Sequence, residues 1–370
     1  MPVRLMAPIS GLSVTSARPT FAWAPADTPE GALVQVCADP RCARVEAEWQ
    51  TTEPRTRAPM DLSVGVHFWR VFPVRAGVVD RGDTQVWLFE VSSAPRALPT
   101  AVADIDGDGL RDAATVLTTT VDGRTAWAVQ VSASTGGARR IEGDEAIDGL
   151  STAFATATRF VGDVNGDGIG DLMVDSYASS GLVGHSANRV WCGGRAAFAP
   201  LPRYGFAGAA GDASTRTRAR ERDPVGDFDG DGYGDLAFTE ETRTGTRILV
   251  ARGGRGERDP GYSIANDCDL TLLAAGDFNR DGRTELVVHP CGTSSTIRAT
   301  GVWAYGTSTV IALPRCEVEP SSATSIAVLD ADMDGVDDLQ LGGLLYLGGP
   351  DGLSAARCVT PAALLVEQRR

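Results

Sequence analysis

The sequence contains no lysine, and all 34 basic residues in its 370 positions are arginine. A phosphate-binding P-loop, a Schiff-base cofactor and a protein-kinase site each need a lysine, so these three kinds of site are excluded. The three histidines, His67, His185 and His289, have no zinc-binding spacing, and no Gly-x-Ser-x-Gly elbow is present. We expect His67 to be structural. His185, which we place in a glycine-rich loop, is the one histidine that merits a catalytic test.

Long apolar runs are also lacking, so the sequence predicts no transmembrane segment. The start, Met1–Arg4, has no apolar core of a signal peptide, and we expect either a removed leader or a fragment of a longer protein. Nucleic acid is not an expected partner, because the arginine-rich stretch 216–222 is interrupted by Thr, Ala and Glu and contains no aromatic residue.

What the chain does contain is a nine-residue loop that occurs five times. Each copy has an oxygen-bearing side chain at loop positions 1, 3, 5 and 9 and a glycine at position 6. The copies are DIDGDGLRD from Asp104, DVNGDGIGD from Asp163, DFDGDGYGD from Asp227, DFNRDGRTE from Asp277 and DADMDGVDD from Asp330.

This pattern suits calcium, which takes six to eight hard oxygen ligands arranged around a sharp turn. An EF-hand would need a bidentate Glu at position 12, but Thr115, Val174, Phe238, Val288 and Leu341 stand there, so that class is excluded. The simpler alternative, that Asp-Gly pairs only mark hairpin turns, explains one copy better than five copies in phase.

We therefore predict up to five structural calcium ions and no other cofactor. The predicted side-chain ligands are Asp104, Asp106, Asp108, Asp112, Asp163, Asn165, Asp167, Asp171, Asp227, Asp229, Asp231, Asp235, Asp277, Asn279, Asp281, Glu285, Asp330, Asp332, Asp334 and Asp338. The predicted backbone carbonyl ligands are those of Leu110, Ile169, Tyr233, Arg283 and Val336. Most of the net charge of −14 then belongs to the predicted ligand carboxylates, because five bound calcium ions would bring the net charge to about −4.

The loops begin between 50 and 64 residues apart, which is typical of solenoids and propellers. An apolar residue at position 10, which shares a face with position 12, predicts a half-buried strand after each loop, and each period has room for about four strands. In the second period we expect strands at Phe154–Gly162, Leu172–Ser176, Arg189–Cys192 and near Phe198–Pro202, and in the last a third strand at 344–349.

Residues 1–94 contain no such loop, and short strand-like runs alternate there with turn signals. The runs are Thr20–Trp23, Leu33–Cys37, Val45–Trp49, Val66–Val74 and Gln85–Val91. They predict a β-sandwich that resembles a fibronectin type III or immunoglobulin-like module, with Trp23 and Trp69 in the core. The Arg81-Gly82-Asp83 tripeptide is similar to an integrin-binding loop, although a solvated turn is the default interpretation.

Seven cysteines are present. Cys37 and Cys42 frame a tight turn in which a disulfide is geometrically easy, whereas half a zinc site would lack its second ligand pair. Cys268 with Cys291 and Cys316 with Cys358 are guesses at further bridges, which would leave Cys192 unpaired.

The five loops, often preceded by Gly-Asp as at Gly162-Asp163, resemble FG-GAP repeats over roughly residues 97–370. The Phe-Gly and Gly-Ala-Pro elements that name the family are largely missing. The resemblance implies an all-β chain: a sandwich at 1–94 and a calcium-binding propeller at 97–370. Five blades are our first choice, and a six- or seven-bladed ring is the alternative.

The resemblance further implies a secreted or cell-surface adhesion module for an extracellular protein or glycan, with its ligand on the face opposite the loops. The alternative is a polysaccharide-active lyase or hydrolase, or its lectin-like accessory domain. Spare carboxylate pairs at Glu240-Glu241 and Asp144-Glu145 could serve such an enzyme, but no catalytic constellation is evident.

Overall fold

The protein is described here from a computed structural model, and its fold consists of β-strands. The structure describes residues 3–24, 30–82, 84–92, 101–121, 124–134, 137–142, 146–147, 150–151, 153–180, 183–194, 203–207, 216–218, 225–241, 246–254, 260–265, 271–289, 301–303, 311–313, 326–353 and 358–359. Within these ranges every regular secondary-structure element is a β-strand, which confirms the predicted all-β class. The same residues include no helix that could cross a membrane.

The N-terminal segment, residues 3–92, forms two sheets. Its strands are β1 (Arg4–Ala7), β2 (Leu12–Val14), β3 (Thr20–Ala24), β4 (Gly31–Cys37), β5 (Val45–Thr51), β6 (Arg55–Arg57), β7 (Gly65–Arg75), β8 (Val78–Val79) and β9 (Trp87–Val91). One sheet has the order β1-β3-β6, and the other has the order β2-β9-β7-β4-β5 with β8 paired to β7. Each of the five predicted N-terminal strands is present.

A single apolar core lies between these two sheets. Alternation along β7 decides which side chains enter it, since Trp69 and Val71 point into this core while Phe68 points the other way. Trp69 is fully buried, Trp23 is 4% exposed, and Phe21 packs edge-to-face on Trp69 with ring centroids 5.0 Å apart. Both predicted core tryptophans are therefore in the core.

The predicted Cys37–Cys42 disulfide is present, with a Cα–Cα distance of 5.1 Å. Cys192 is a buried free cysteine. Cys268, Cys291 and Cys316 lie outside the described residues, so the two guessed bridges stay predictions.

The loop-bearing segment, residues 101–359, contains the remaining strands. They are β10 (Ala113–Val121), β11 (Arg124–Ser132), β12 (Ala138–Glu142), β13 (Ala146–Ile147), β14 (Leu150–Ser151), β15 (Ala153–Gly162), β16 (Asp171–Ser180), β17 (Val183–Trp191), β18 (Arg203–Ala207), β19 (Arg216–Arg218), β20 (Val225–Gly226), β21 (Asp235–Glu241), β22 (Thr246–Ala251), β23 (Pro260–Ala265), β24 (Thr271–Gly276), β25 (Glu285–His289), β26 (Gly301–Trp303), β27 (Ile311–Ala312), β28 (Ile326–Leu329), β29 (Asp338–Leu341), β30 (Leu344–Tyr346) and β31 (Cys358–Val359).

These strands form five antiparallel sheets in chain order, one for each loop. Repeat sheet 1 is β10-β11-β12, sheet 2 is β15-β16-β17-β18, sheet 3 is β19-β21-β22-β23 with β20 beside β21, sheet 4 is β24-β25-β26-β27, and sheet 5 is β28-β29-β30-β31. β13 and β14 form a separate two-stranded sheet. Three of the predicted strands of the second period are present, as is the third strand of the last period at Leu344–Tyr346. The expected strand near Phe198–Pro202 lies outside the described residues, and the fourth strand begins at Arg203.

Consecutive repeat sheets pack face to face. Positions are counted from the first residue of each loop. The side chains at positions 10 and 12 of one sheet pack against the side chain at position 11 of the preceding sheet; for example, Leu286 and Val288 pack against Ala237. The prediction of half-buried strands was therefore wrong for sheets 2 to 4, because their position-11 side chains are buried as well. These are Met173, Ala237 and Val287.

Two faces at the ends of this stack have no neighbouring repeat sheet within the described residues. On sheet 1, Ala113 and Thr115 are exposed. On sheet 5, Leu345 and Leu347 form a small apolar cluster with Leu329. No apolar cluster of the described residues joins sheet 5 to sheet 1.

Candidate functional site

Each loop folds around the carboxylate of its first residue. In the third loop, Oδ1 of Asp227 accepts hydrogen bonds from the backbone N–H groups of Gly230 at 2.7 Å and Asp231 at 3.0 Å, while Oδ2 accepts one from Gly232 at 2.8 Å. Asp104 and Asp163 bind the corresponding amides of the first two loops. Because Gly232 has a φ of +82°, the turn needs a glycine there.

Two further hydrogen bonds recur in all five loops. The N–H of position 5 donates to the side chain of position 3, and the N–H of position 7 donates to the carboxylate of position 5. In the third loop these bonds join Asp231 to Asp229 and Tyr233 to Asp231, each at 3.1 Å. Such short-range bonds fix the side-chain oxygens of positions 3 and 5 on one side of the turn.

In four of the five loops the position-9 carboxylate closes the loop onto its own sheet, whereas Glu285 of the fourth loop accepts the N–H of Phe278 and the side-chain amide of Asn279. Oδ2 of Asp235 accepts from the N–H of Phe228 at 2.9 Å, and Oδ1 accepts from the N–H of Gly253 at 2.7 Å. Asp112, Asp171 and Asp338 accept the same pair of bonds. The position-9 side chains are therefore buried and fixed.

Four of the five loops bring three acidic oxygens within 4.8 Å of one another. The groups are Asp104, Asp106 and Asp108; Asp227, Asp229 and Asp235; Asp277, Asp281 and Glu285; and Asp330, Asp332 and Asp338. In the second loop, all of whose residues are described, no three acidic side chains come this close. Position 3 of that loop is Asn165, whose amide donates to Asp167 at 3.2 Å. The carbonyl ligands proposed at position 7 stay a prediction.

Burial raises the pKa values of several loop carboxylates. Loss of solvent, followed by repulsion from neighbouring acids, raises the pKa of Asp227 to about 7 and that of Glu285 to about 9. The pKa values of Asp163, Asp171 and Asp235 are also raised by burial. A group of like charges held together out of water is stabilised by a cation, and an all-oxygen donor set favours a hard one such as Ca²⁺. The residues present therefore fit the predicted ion.

Backbone hydrogen bonds connect each loop to the next. The N–H of position 8 donates to the carbonyl of position 1 in the preceding loop, at distances between 2.7 and 3.2 Å. The donors are Gly170, Gly234, Thr284 and Asp337, and the acceptors are Asp104, Asp163, Asp227 and Asp277. Within the part of the chain that the structure describes, no such bond joins the fifth loop to the first.

The N-terminal segment lies over all five loops. A Cβ added at the position-6 glycine of any loop would meet this segment: Gly109 faces Phe68, Gly168 faces the carbonyl of Val86, Gly232 faces the carbonyl of Leu5, Gly282 faces Arg55, and Gly335 faces Arg57. In addition, the carbonyl of Ser10 accepts a hydrogen bond from the N–H of Asp163, and the hydroxyl of Ser10 donates one to the carbonyl of Gly168. The five loops thus share one covered face.

A cavity of about 170 Å³ lies under this cover. Residues of the N-terminal segment between Met6 and Thr20 line one side of it. The other side is lined by the starts of the third and fourth loops and by Asp337. Burial raises the pKa of Asp337 to about 7, and its Oδ2 accepts the N–H of Asp277 at 2.9 Å.

Sequence reasoning missed a pair of glycines that follows the third strand of the second, third and fifth periods. The first glycine of the pair donates its N–H to the position-9 carboxylate, and the second donates to the position-2 carbonyl of the preceding loop. The pairs are Gly193-Gly194, Gly253-Gly254 and Gly348-Gly349. Their recurrence at the same place in each period is a sequence signal that could have revealed them.

The histidine predictions had different outcomes. His67 is buried, with Nδ1 2.6 Å from Glu46 Oε2 and Nε2 2.7 Å from the carbonyl of Ser63, an environment expected of a structural histidine. The placement of His185 in a loop was wrong, because it lies within β17 and pairs with Ala178. Asp144 and Glu145 lie outside the described residues.

The Arg-Gly-Asp stretch is described in part. The Arg81 guanidinium lies 5.5 Å from the ring centroid of Phe72, while Asp83 falls outside the described residues. An adhesive role for this tripeptide stays a prediction.

Part of the chain is similar to a known protein family. Residues 227–288, which contain the third and fourth loops, match the family profile described as FG-GAP-like repeat. No curated protein matches the chain, and no solved structure matches it. The matched repeat is typical of extracellular proteins and favours an adhesion or recognition module.

Proposed function

We propose that the chain is a secreted or cell-surface recognition module without enzymatic activity, built on a calcium-binding β-propeller. The observation that supports this most strongly is the loop geometry, which gathers three carboxylate oxygens in four of five copies, each group with at least one buried acid. The FG-GAP-like match over residues 227–288 supports the same proposal. The calcium ions would be structural, and each would be held by the carboxylate, amide and carbonyl oxygens of one loop.

The proposed architecture has five blades, one for each repeat sheet, and an N-terminal fibronectin-like sandwich. The face-to-face packing of consecutive sheets supports this arrangement. Closure of the ring would join the exposed Ala113 and Thr115 face of sheet 1 to the Leu345 and Leu347 face of sheet 5. Such closure would remove the two unpaired faces of the stack.

An extracellular protein or glycan is the proposed ligand. Because the N-terminal segment covers the loop face, we place recognition on the opposite face of the propeller. Calcium would then act on recognition only through the stability of the scaffold.

Two measurements test the proposal. Isothermal titration of the metal-free protein with CaCl₂ should show binding of up to five equivalents, and arrays of matrix proteins and glycans should detect a ligand in calcium. Absence of calcium uptake at about 1 mM, the range in which extracellular modules bind, would contradict the metal sites. Polysaccharide turnover that His185→Ala abolishes would instead establish the enzyme alternative.

A further inference from the structure

The fifth loop holds its first carboxylate differently from the first three loops. Asp104, Asp163 and Asp227 each accept three amides of their own loop. Asp330 accepts one loop amide, that of Gly335 at 3.1 Å to Oδ2. The loop alone therefore orients this carboxylate less firmly than its counterparts.

The N-terminal segment supplies the missing contacts. The hydroxyl of Ser16 donates to Oδ2 of Asp330 at 2.5 Å, and Nη2 of Arg57 lies 3.6 Å from the same oxygen. The hydroxyl of Thr20 donates to the carbonyl of Gly335 at 3.1 Å. These contacts join residues more than 270 positions apart in the chain, so they depend on the docking of the two segments.

The other oxygen of Asp330 has no partner. Its side chain is 1% exposed, yet Oδ1 receives no hydrogen bond within the described part of the chain. A buried carboxylate oxygen is costly to leave unpaired. Asp330 is also one of the three acids of the fifth loop whose oxygens lie within 4.8 Å of one another. An unpaired, buried oxygen in such a group indicates a cation.

We infer that the fifth calcium site is a composite site, in which loop 330–338 supplies the ligands and Ser16 and Thr20 of the N-terminal segment act as positioning residues. This inference rests on the proposed function, namely that the loops bind calcium. Oδ2 of Asp330 is engaged by the N-terminal segment, and Oδ1 is left for the ion. Calcium at this site and docking of the N-terminal segment therefore stabilise each other to the same extent.

Ser16→Ala tests the inference because it removes one hydroxyl without changing any charge. In calorimetric titrations of the full chain with CaCl₂, the wild type should bind up to five equivalents. Ser16→Ala should weaken one of them on the order of tenfold or more, as loss of a group that orients a metal ligand does. Ser16→Thr, which keeps the hydroxyl, should restore the affinity, and Ser63→Ala, at an exposed serine of the same segment, should bind as the wild type does.

Thr20→Val provides a second test because it removes the hydroxyl that binds the carbonyl of Gly335. This variant should likewise weaken one calcium site and reduce the calcium-induced gain in melting temperature. Circular dichroism checks that each variant is folded. A wild type that takes up no calcium would overturn the proposed function itself. A wild type that binds calcium while Ser16→Ala and Thr20→Val bind it with the same stoichiometry and affinities would overturn this inference alone.

Discussion

The backbone N–H of Gly253 donates a 2.7 Å hydrogen bond to Oδ1 of Asp235. This bond connects the end of the third strand of repeat sheet 3 to the last acid of the third loop. The same carboxylate accepts the N–H of Phe228 through Oδ2, so Asp235 is a fully buried junction between the loop and its sheet.

Asp235→Asn should destabilise the protein by roughly 1–3 kcal/mol, because an amide has only one acceptor oxygen and cannot accept both backbone N–H groups. It should also weaken calcium binding at the third loop. Urea unfolding and calorimetric titration measure the two effects. Asp351→Asn, at an exposed position, is the control, and equal stability of the two variants would contradict the prediction.

Gly253→Ala should destabilise the fold by roughly 1–3 kcal/mol through overpacking. A Cβ at this position would lie 2.6 Å from the carbonyl oxygen of Val164 and closer still to that of Gly234. Gly194→Ala is a matched control from the equivalent pair in sheet 2, because a Cβ there meets nothing within 4 Å. The midpoint of urea unfolding should fall for Gly253→Ala only, and a fall of similar size in both variants would contradict the steric cause.

Removal of calcium should lower the melting temperature. If each site binds with a Kd of about 0.1 mM, then about 1 mM calcium adds about 1.4 kcal/mol per site. Five sites together would shift the melting temperature on the order of 10 °C. Scanning fluorimetry in EGTA and in excess calcium measures this shift, with magnesium as the control ion. An unchanged melting temperature in EGTA would show that the loops are stable without the metal.

The stability of the metal-free protein should fall as the pH rises from about 4 to about 8. Burial raises the pKa of Asp104 and Asp277 to about 6 and that of Asp227 and Asp338 to about 7, from an ordinary value of 3.8. The folded state therefore binds more protons than the unfolded state in this window, and each proton lost on raising the pH weakens folding.

Chemical denaturation in metal-free buffer at several pH values measures this dependence. Saturating calcium should abolish most of it, because the ion replaces the protons as the counter-charge. A metal-free protein that becomes more stable between pH 5 and pH 7 would contradict the expected sign.

The loops could be predicted because their chemistry and their hydrogen bonds are local. Asp227, for example, binds amides three to five residues ahead in the chain, so a nine-residue pattern contains all the groups required. One hydrogen-bond partner of Asp235 is 18 residues away, at Gly253, and the repeated glycine pair is the one sequence signal that indicates it. The prediction of half-buried strands was wrong for sheets 2 to 4 because one face of each strand packs on the preceding repeat sheet and the other face packs on the next one. Ala237 and Val287 are buried on that second face, and the sequence does not show that a further sheet covers them.

What the sequence determined by itself is the set of oxygen-rich turns, the all-β class and the Cys37–Cys42 bridge, since each depends on groups a few residues apart. The tertiary structure alone decided that the N-terminal segment covers the loops. That cover uses contacts such as Phe68 on Gly109 and Thr20 on Gly335, the latter 315 residues apart. A glycine required for a turn and a glycine required for the close approach of a distant chain are identical in the sequence, so only the folded arrangement distinguishes them.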